Sequence, residues 1–205
     1  MTSPVPHLLH VFSTFAPAGP ETRAVRLIEA FGGEFRHSIL AMDGRTDARE
    51  LLPAAAEVRI LESPPKAGSI ATVRRLRDLL RAENPDLLLS YNWGAFDAVM
   101  AARTLKLRRV VHHEDGFNPD EVLEFKQRRV LARRLLLPGV HRVIVPSKKL
   151  ERIAVDTWKL PVGHTRWIPN GIHAERFEAR DGRPDAERVH VCCASAADCR
   201  SAGGA

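Results

Sequence analysis

Seven strand-length apolar runs alternate with helical patterns along this chain, and that alternation limits the possible folds more than any other feature. The runs are Val5 to Ser13, Phe35 to Met42, Val58 to Leu61, Asp86 to Tyr91, Arg109 to His113, Arg142 to Val145 and Thr165 to Ile168. Most are apolar at consecutive positions, as strands buried on both faces of a parallel sheet are. In the first connection Ala24, Leu27, Ile28 and Phe31 recur at helical spacing, as do Ile70, Val73, Leu76, Leu79 and Leu80 further on. Gly32-Gly33 and Asn84-Pro85 stop these two helices, and Asp43-Gly44 marks a turn. Further helices are expected over Phe96 to Leu105, Pro119 to Leu137 and Lys148 to Thr157, with a weak one at Asp47 to Leu52. The pattern predicts the α/β class, with a doubly wound parallel sheet covered on both faces.

A chain of 205 residues with 44% hydrophobic composition can bury a real core. Its apolar stretches fall far short of the roughly 20 residues needed to cross a bilayer. The opening MTSPVPHLLHVF has neither the basic start nor the small-residue cleavage site of a signal peptide, so a cytoplasmic location is expected. The net charge of +6 suits anionic partners. Nucleic acid is not expected among them, because aromatic residues are only 6% and no zinc-finger or RNP-like element accompanies the charge. His190, Cys192, Cys193 and Cys199 match no metal spacing and read as exposed tail residues. No metal and no cofactor is expected.

Ligands of doubly wound sheets sit outside the carboxyl ends of the strands. That rule places the loops Thr14 to Glu21, Asn92 to Gly94, His112 to Phe117, Pro146 to Ser147 and Asn170 to His173 on one rim. Gly19 lies in the first loop, where backbone could approach a ligand and the amides of a helix start attract phosphate. The loop is neither a G-x-G-x-x-G nor a Walker A sequence, and taken alone it reads first as an ordinary tight turn. His112, His113, Glu114, Asp115 and Gly116 end another strand. Imidazoles and carboxylates there could bond a sugar or act as general acid and base, while helix capping and loop structure are the alternative. Adjacent strand residues point to opposite faces, so the four polar side chains cannot all converge.

Lys126, Arg128, Arg129, Arg133 and Arg134 interleave with Phe125, Val130, Leu131 and Leu135 in one predicted helix. The expectation is an apolar face packed in the core and a solvated basic face. The alternative is a helix lying on an anionic membrane surface.

Taken together, the motifs resemble the N-terminal domain of glycosyltransferase family 4, retaining enzymes of the GT-B fold. The matching residues are Ala18-Gly19 with Glu21 and Arg23, Pro85 to Ser90 leading to Asn92-Trp93-Gly94, Val110-Val111 running into the Gly116 loop, Val143 to Ser147, and Ile168-Pro169-Asn170-Gly171-Ile172 with Phe177. The resemblance implies a Rossmann-like N-terminal half of a GT-B fold over residues 1–178, followed by a linker and a truncated or frameshifted, poorly ordered tail over 179–205. It implies a transferase moving a sugar from a nucleotide-sugar donor to a saccharide, lipid-linked or small-molecule acceptor, in polysaccharide biosynthesis.

By that resemblance His112, His113 and Asp115 are the candidate catalytic residues. Gly19, Arg23, Asn92, Trp93, Glu114, Gly116, Ser147 and Asn170 are the candidate substrate-binding residues. The family often has His directly before the loop glycine, where this chain has Asp115, and often Asp where it has His173. Its donor site lies in a second domain, so this chain alone is expected to be inactive and to meet a nucleotide sugar only with a complementing donor domain. The competing expectation is a non-enzymatic saccharide-binding or anionic-membrane module, peripheral to the inner face of the membrane.

Overall fold

The computed structural model describes residues 4–65, 67–116, 121 and 126–171. The backbone divides into a compact unit, Met1–Asn170, and a second unit, Gly171–Ala205. The expected domain boundary at residue 178, the tail cysteines and His173 lie outside the described residues, as does Phe117.

The seven runs form seven strands: β1 (His7–Phe12), β2 (Arg36–Ala41), β3 (Val58–Leu61), β4 (Leu87–Tyr91), β5 (Val110–His113), β6 (Arg142–Val145) and β7 (Thr165–Trp167). They pair in parallel in the order β3-β2-β1-β4-β5-β6-β7. The order reverses direction between β1 and β4, so a crevice opens at that switch point, outside the carboxyl ends of the two strands.

The connecting helices are α1 (Gly19–Phe31), α2 (Ser69–Glu83), α3 (Phe96–Thr104), α4 (Gln127–Leu136) and α5 (Lys148–Asp156). α1 leads toward β3 and packs Ala24, Val25 and Ile28 on the face that carries Phe12, Ile39 and Tyr91. The helices that lead toward β7 pack on the opposite face, against Leu9, Val11, Leu88, Val110 and Val143. Right-handed crossovers running in two directions from the switch point require this division. The weak helix expected at Asp47 to Leu52 is a 3-10 turn over Asp47–Leu51.

Local chemistry sets the ends of these elements. Asn84 caps α2 in the left-handed conformation, with φ 43°, and its amide donates to the Leu80 carbonyl. Ser147 caps α5, its hydroxyl accepting from the Leu150 amide at 3.2 Å. Gly94 faces Ser13 at the switch point, where any Cβ would collide with the Ser13 side chain.

One expectation is reversed. Helix α4 buries arginine and exposes leucine: Arg129 and Arg133 are 8% and 0% exposed, Leu131 and Leu135 are 56% and 69% exposed, and only Val130 of its apolar residues joins the core fully. The cause is electrostatic. Glu114 and Glu121 are buried beneath the helix at 0% and 1% exposure, and a buried carboxylate requires a paired cation. Arg129 meets Glu121 at 2.7 Å, while Arg133 bridges Glu114 at 3.0 Å and Glu121 at 3.3 Å. The guanidinium of Arg133 also lies 5.0 Å from the ring centres of both Trp93 and Trp158.

Candidate functional site

The end of β5 is the centre of the site. Its residues alternate between the sheet's two faces, so His112 and Glu114 go one way and His113 and Asp115 the other. His112 is fully buried, with Nδ1 2.9 Å from the Ser90 hydroxyl and Nε2 3.5 Å from Glu114 Oε2. Burial alone would raise the Glu114 carboxyl, but the His112 hydrogen bond and the Arg133 charge hold it below its ordinary value. This pair belongs to the buried cluster under α4.

His113 and Asp115 face α1. Asp115 accepts both guanidinium nitrogens of Arg23 in a fork, with Oδ2 at 2.9 Å. The same Arg23 also donates to Asn170 Oδ1 at 2.7 Å. Asn92 completes the arrangement, its side-chain oxygen accepting the Asp115 amide at 2.7 Å while its own amide donates to the His113 carbonyl at 2.7 Å. Asn92 holds φ 58° and ψ 179° to do so, a strained backbone conformation outside the left-handed helical well. Four candidate residues from α1, the β4 end, the β5 end and the segment after β7 therefore converge.

Beneath them lies a layer of aromatic rings. His113 is 7% exposed and stacks on Tyr91 with ring centres 4.7 Å apart. Neither of its ring nitrogens has a hydrogen-bond partner among the described residues. Burial, then the neighbouring charge of Arg23, pushes its pKa down to about 3, so it is a neutral imidazole at physiological pH. The Tyr91 hydroxyl lies 3.1 Å from His10 Nδ1, and His10 Nε2 lies 3.1 Å from His37 Nδ1. His10 is also driven down to about 3, by burial and by His37, and burial raises the Tyr91 phenol.

The other candidates occupy different surroundings. Gly19 begins α1 with open space about it, and Gly116 follows Asp115 in the loop. Trp93 turns away from Asp115 toward α4, stacked on Phe96 at 4.6 Å and covered by Arg129 and Arg133. Ser147 serves as the α5 cap described above.

Glu21, not singled out as a site residue in the sequence, sits in the first turn of α1 at 6% exposure with Oε2 unpartnered among the described residues. Burial raises its carboxyl, the nearby Asp115 adds to that, and Arg23 partly offsets it. Its position in the first turn of the helix after β1 was the available signal. The rim thus carries a forked cation, two carboxyl groups and a neutral imidazole, a set able to bind hydroxyls and phosphates and to move a proton. Among the described residues no three His, Cys, Asp or Glu side chains group as a metal site.

The family model described as a glycosyl transferase 4-like domain matches residues 18–171. No curated relative matches the chain. Among solved structures, a glycosyltransferase from Rickettsia africae superposes with a TM-score of 0.62 at 13% identity, over 86% of this chain and 46% of that one. A UDP-GlcNAc 2-epimerase from Neisseria meningitidis, solved with UDP-GlcNAc, gives 0.56 at 18% identity, over 80% and 46%. MurG from Acinetobacter baumannii gives 0.51 at 14% identity, over 82% and 46%. The fold is the Rossmann-like half of these GT-B proteins, and the chain spans a little under half the length of each.

Proposed function

The chain belongs to the family of glycosyl transferase 4-like domains, and from that premise we propose that it is the acceptor-binding half of an enzyme that transfers a sugar from a nucleotide-sugar donor to a hydroxyl of a saccharide or lipid-linked acceptor. The observation that carries this reading is the convergence of Arg23, Asn92, Asp115 and Asn170 above a neutral, unpartnered His113. In such a transfer the bond from the anomeric carbon to the donor phosphate breaks and a bond to the acceptor oxygen forms. Arg23, oriented by Asp115 and Asn170, supplies positive charge where the phosphate charge develops. His113 and Asp115 face the transferred sugar. His112 and Glu114 hold the β5 end in place through Arg133, and Gly19 leaves the α1 start open toward the donor.

The matched region corresponds to one half of the proteins it resembles, so residues 18–171 are expected to bind saccharide and, without a donor-binding half, to turn over no nucleotide sugar. Incubation with UDP- and GDP-sugars tests this directly: nucleotide release by the purified chain overturns the reading. Saturation-transfer NMR with free saccharides supplies the positive arm, with transfer to sugar protons as the supporting result.

A second reading, contact with an anionic membrane from the cytoplasmic side, is favoured by Leu131 and Leu135. They stand exposed on α4, beside the exposed Arg128 and Arg134. Among the described residues no helix is long and apolar enough to cross a membrane. Flotation with phosphatidylglycerol vesicles, lost on changing Arg128 and Arg134 to Glu, is the expected result. Equal flotation by the charge-reversed variant excludes it.

A further inference from the structure

We infer that the cavity between α2, α3 and α4, beside the rim, is a second saccharide subsite that holds a ring of the acceptor remote from the reacting hydroxyl. The inference rests on the acceptor reading above and extends it to a place in the molecule. The cavity measures about 400 Å³ and is lined by Ser69, Trp93, Phe96, Asp97, Met100 and Arg128. That volume lies in the range of small-ligand sites.

Its polar groups are few and unspent. Asp97 accepts the Ser69 hydroxyl at 3.1 Å through Oδ1, and Oδ2 takes no hydrogen bond among the described residues. Burial raises the Asp97 carboxyl, and the Ser69 bond only partly offsets this. Arg128 is exposed and forms no ion pair among the described residues, either with Asp97 or with another acid. A site with one available carboxylate oxygen and one available guanidinium disfavours a ligand of pure charge. An anion is repelled by Asp97 and a cation by Arg128. Neighbouring sugar hydroxyls satisfy both, one donating to the carboxylate and the next accepting from the guanidinium.

The apolar wall is rigid, and with the faces of the Trp93 ring already covered it offers a sugar the indole edge and Met100. Trp93 cannot swing, because Phe96 stacks on it and two guanidinium groups cover it. Preorganised walls spare a ligand the cost of ordering side chains. Asn92 of the rim immediately precedes Trp93, so the cavity adjoins the rim along the chain.

The test titrates the full chain with maltose, cellobiose and chitobiose, following amide and indole signals of the ¹⁵N-labelled protein. Expected are shifts of the Trp93 indole and Gly94 amide. Asp97→Asn and Arg128→Ala should each weaken binding by about tenfold or more, whereas Arg23→Ala, a rim change, should weaken it by less than about threefold. Thermal melts confirm that all three variants fold. Binding lost only in Arg23→Ala overturns the subsite and leaves the acceptor reading standing. No shift with any of the three sugars overturns both.

Discussion

The two halves of the β5 end have the same composition and opposite fates. His112 and Glu114 face α4, are fully buried, and have a partner for at least one polar atom each. His113 and Asp115 face α1. There the imidazole has no partner among the described residues, and the carboxylate is shared with a partly exposed Arg23. One histidine and one carboxylate build the frame, and a second such pair shifted by one residue lines the candidate site. A period of two residues in a strand assigns the roles, and the surroundings then set the chemistry. On one side a fully buried Arg133, shared with Glu121, neutralises the acid. On the other a single arginine is left oriented toward the rim.

The largest expected effect tests the frame. Arg133→Ala leaves Glu114 buried without its main cation, and breaking a buried pair from one side costs about 3 to 5 kcal/mol. Chemical denaturation should read that loss. Arg133→Lys recovers little of it, because an ammonium cannot fork between Glu114 and Glu121 while lying against two indoles. A loss below about 1 kcal/mol, the value of an exposed pair, would place the cluster in solvent-like surroundings and dissolve the contrast.

The next effect depends on pH and isolates His113. Its folded pKa of about 3 lies below the ordinary 6.5, so below about pH 6 the unfolded chain binds a proton that the folded chain refuses. The stability it contributes is complete above that range and declines by about 1.4 kcal/mol per pH unit as pH falls toward the folded value. His10 adds a decline of the same sign. In His113→Gln the fall in stability between pH 6 and pH 4, read from urea midpoints, should be shallower than in the unaltered chain. An unchanged slope means that His113 is solvated and that the site side of β5 is no different from open surface.

These outcomes bear on how much of the molecule its sequence disclosed. The strands were legible because parallel strands lose their polar alternation, and runs such as Leu87 to Tyr91 have few other readings. The rim was legible as a place, since topology alone sets which loops share it. The division of His112 to Asp115 followed from strand geometry only as a rule that not all could converge. Which pair faces the rim depends on where α1 and α4 pack, which no local pattern carries. Helix α4 misled for a related reason. Arg129, Val130 and Arg133 lie on one face, and Leu131, Leu135 and Arg134 lie largely on another. Hydrophobicity alone selects the leucines for the core, but Glu114 and Glu121, distant in the helix pattern, recruit the arginines instead. Long-range charge pairing overrode helical amphipathicity.

A smaller effect compares the acids directly. Asp115→Asn removes a pair whose side chains are 21% and 12% exposed, and a partly solvated pair of this kind contributes about 1 kcal/mol or less. Glu114→Gln should cost several times more in the same denaturation experiment, because it strips charge from a site where Arg133 has no water to turn to. Equal costs would mean that burial does not separate the two carboxylates.

The smallest effect concerns the exposed side of α4. If the arginines are the helix's packed residues, then Leu131→Ser and Leu135→Ser touch nothing that holds the fold, and each should alter stability by no more than about 0.5 kcal/mol. Val130→Ala, one position away and 3% exposed, should cost clearly more, because burial of a valine side chain is worth about 1.5 kcal/mol or more. Thermal melts of the three variants order the positions. A leucine variant as damaging as the valine one would put leucine back into the core, and the pairing of Glu114 with Arg133 would then lose the helix rotation that makes it possible.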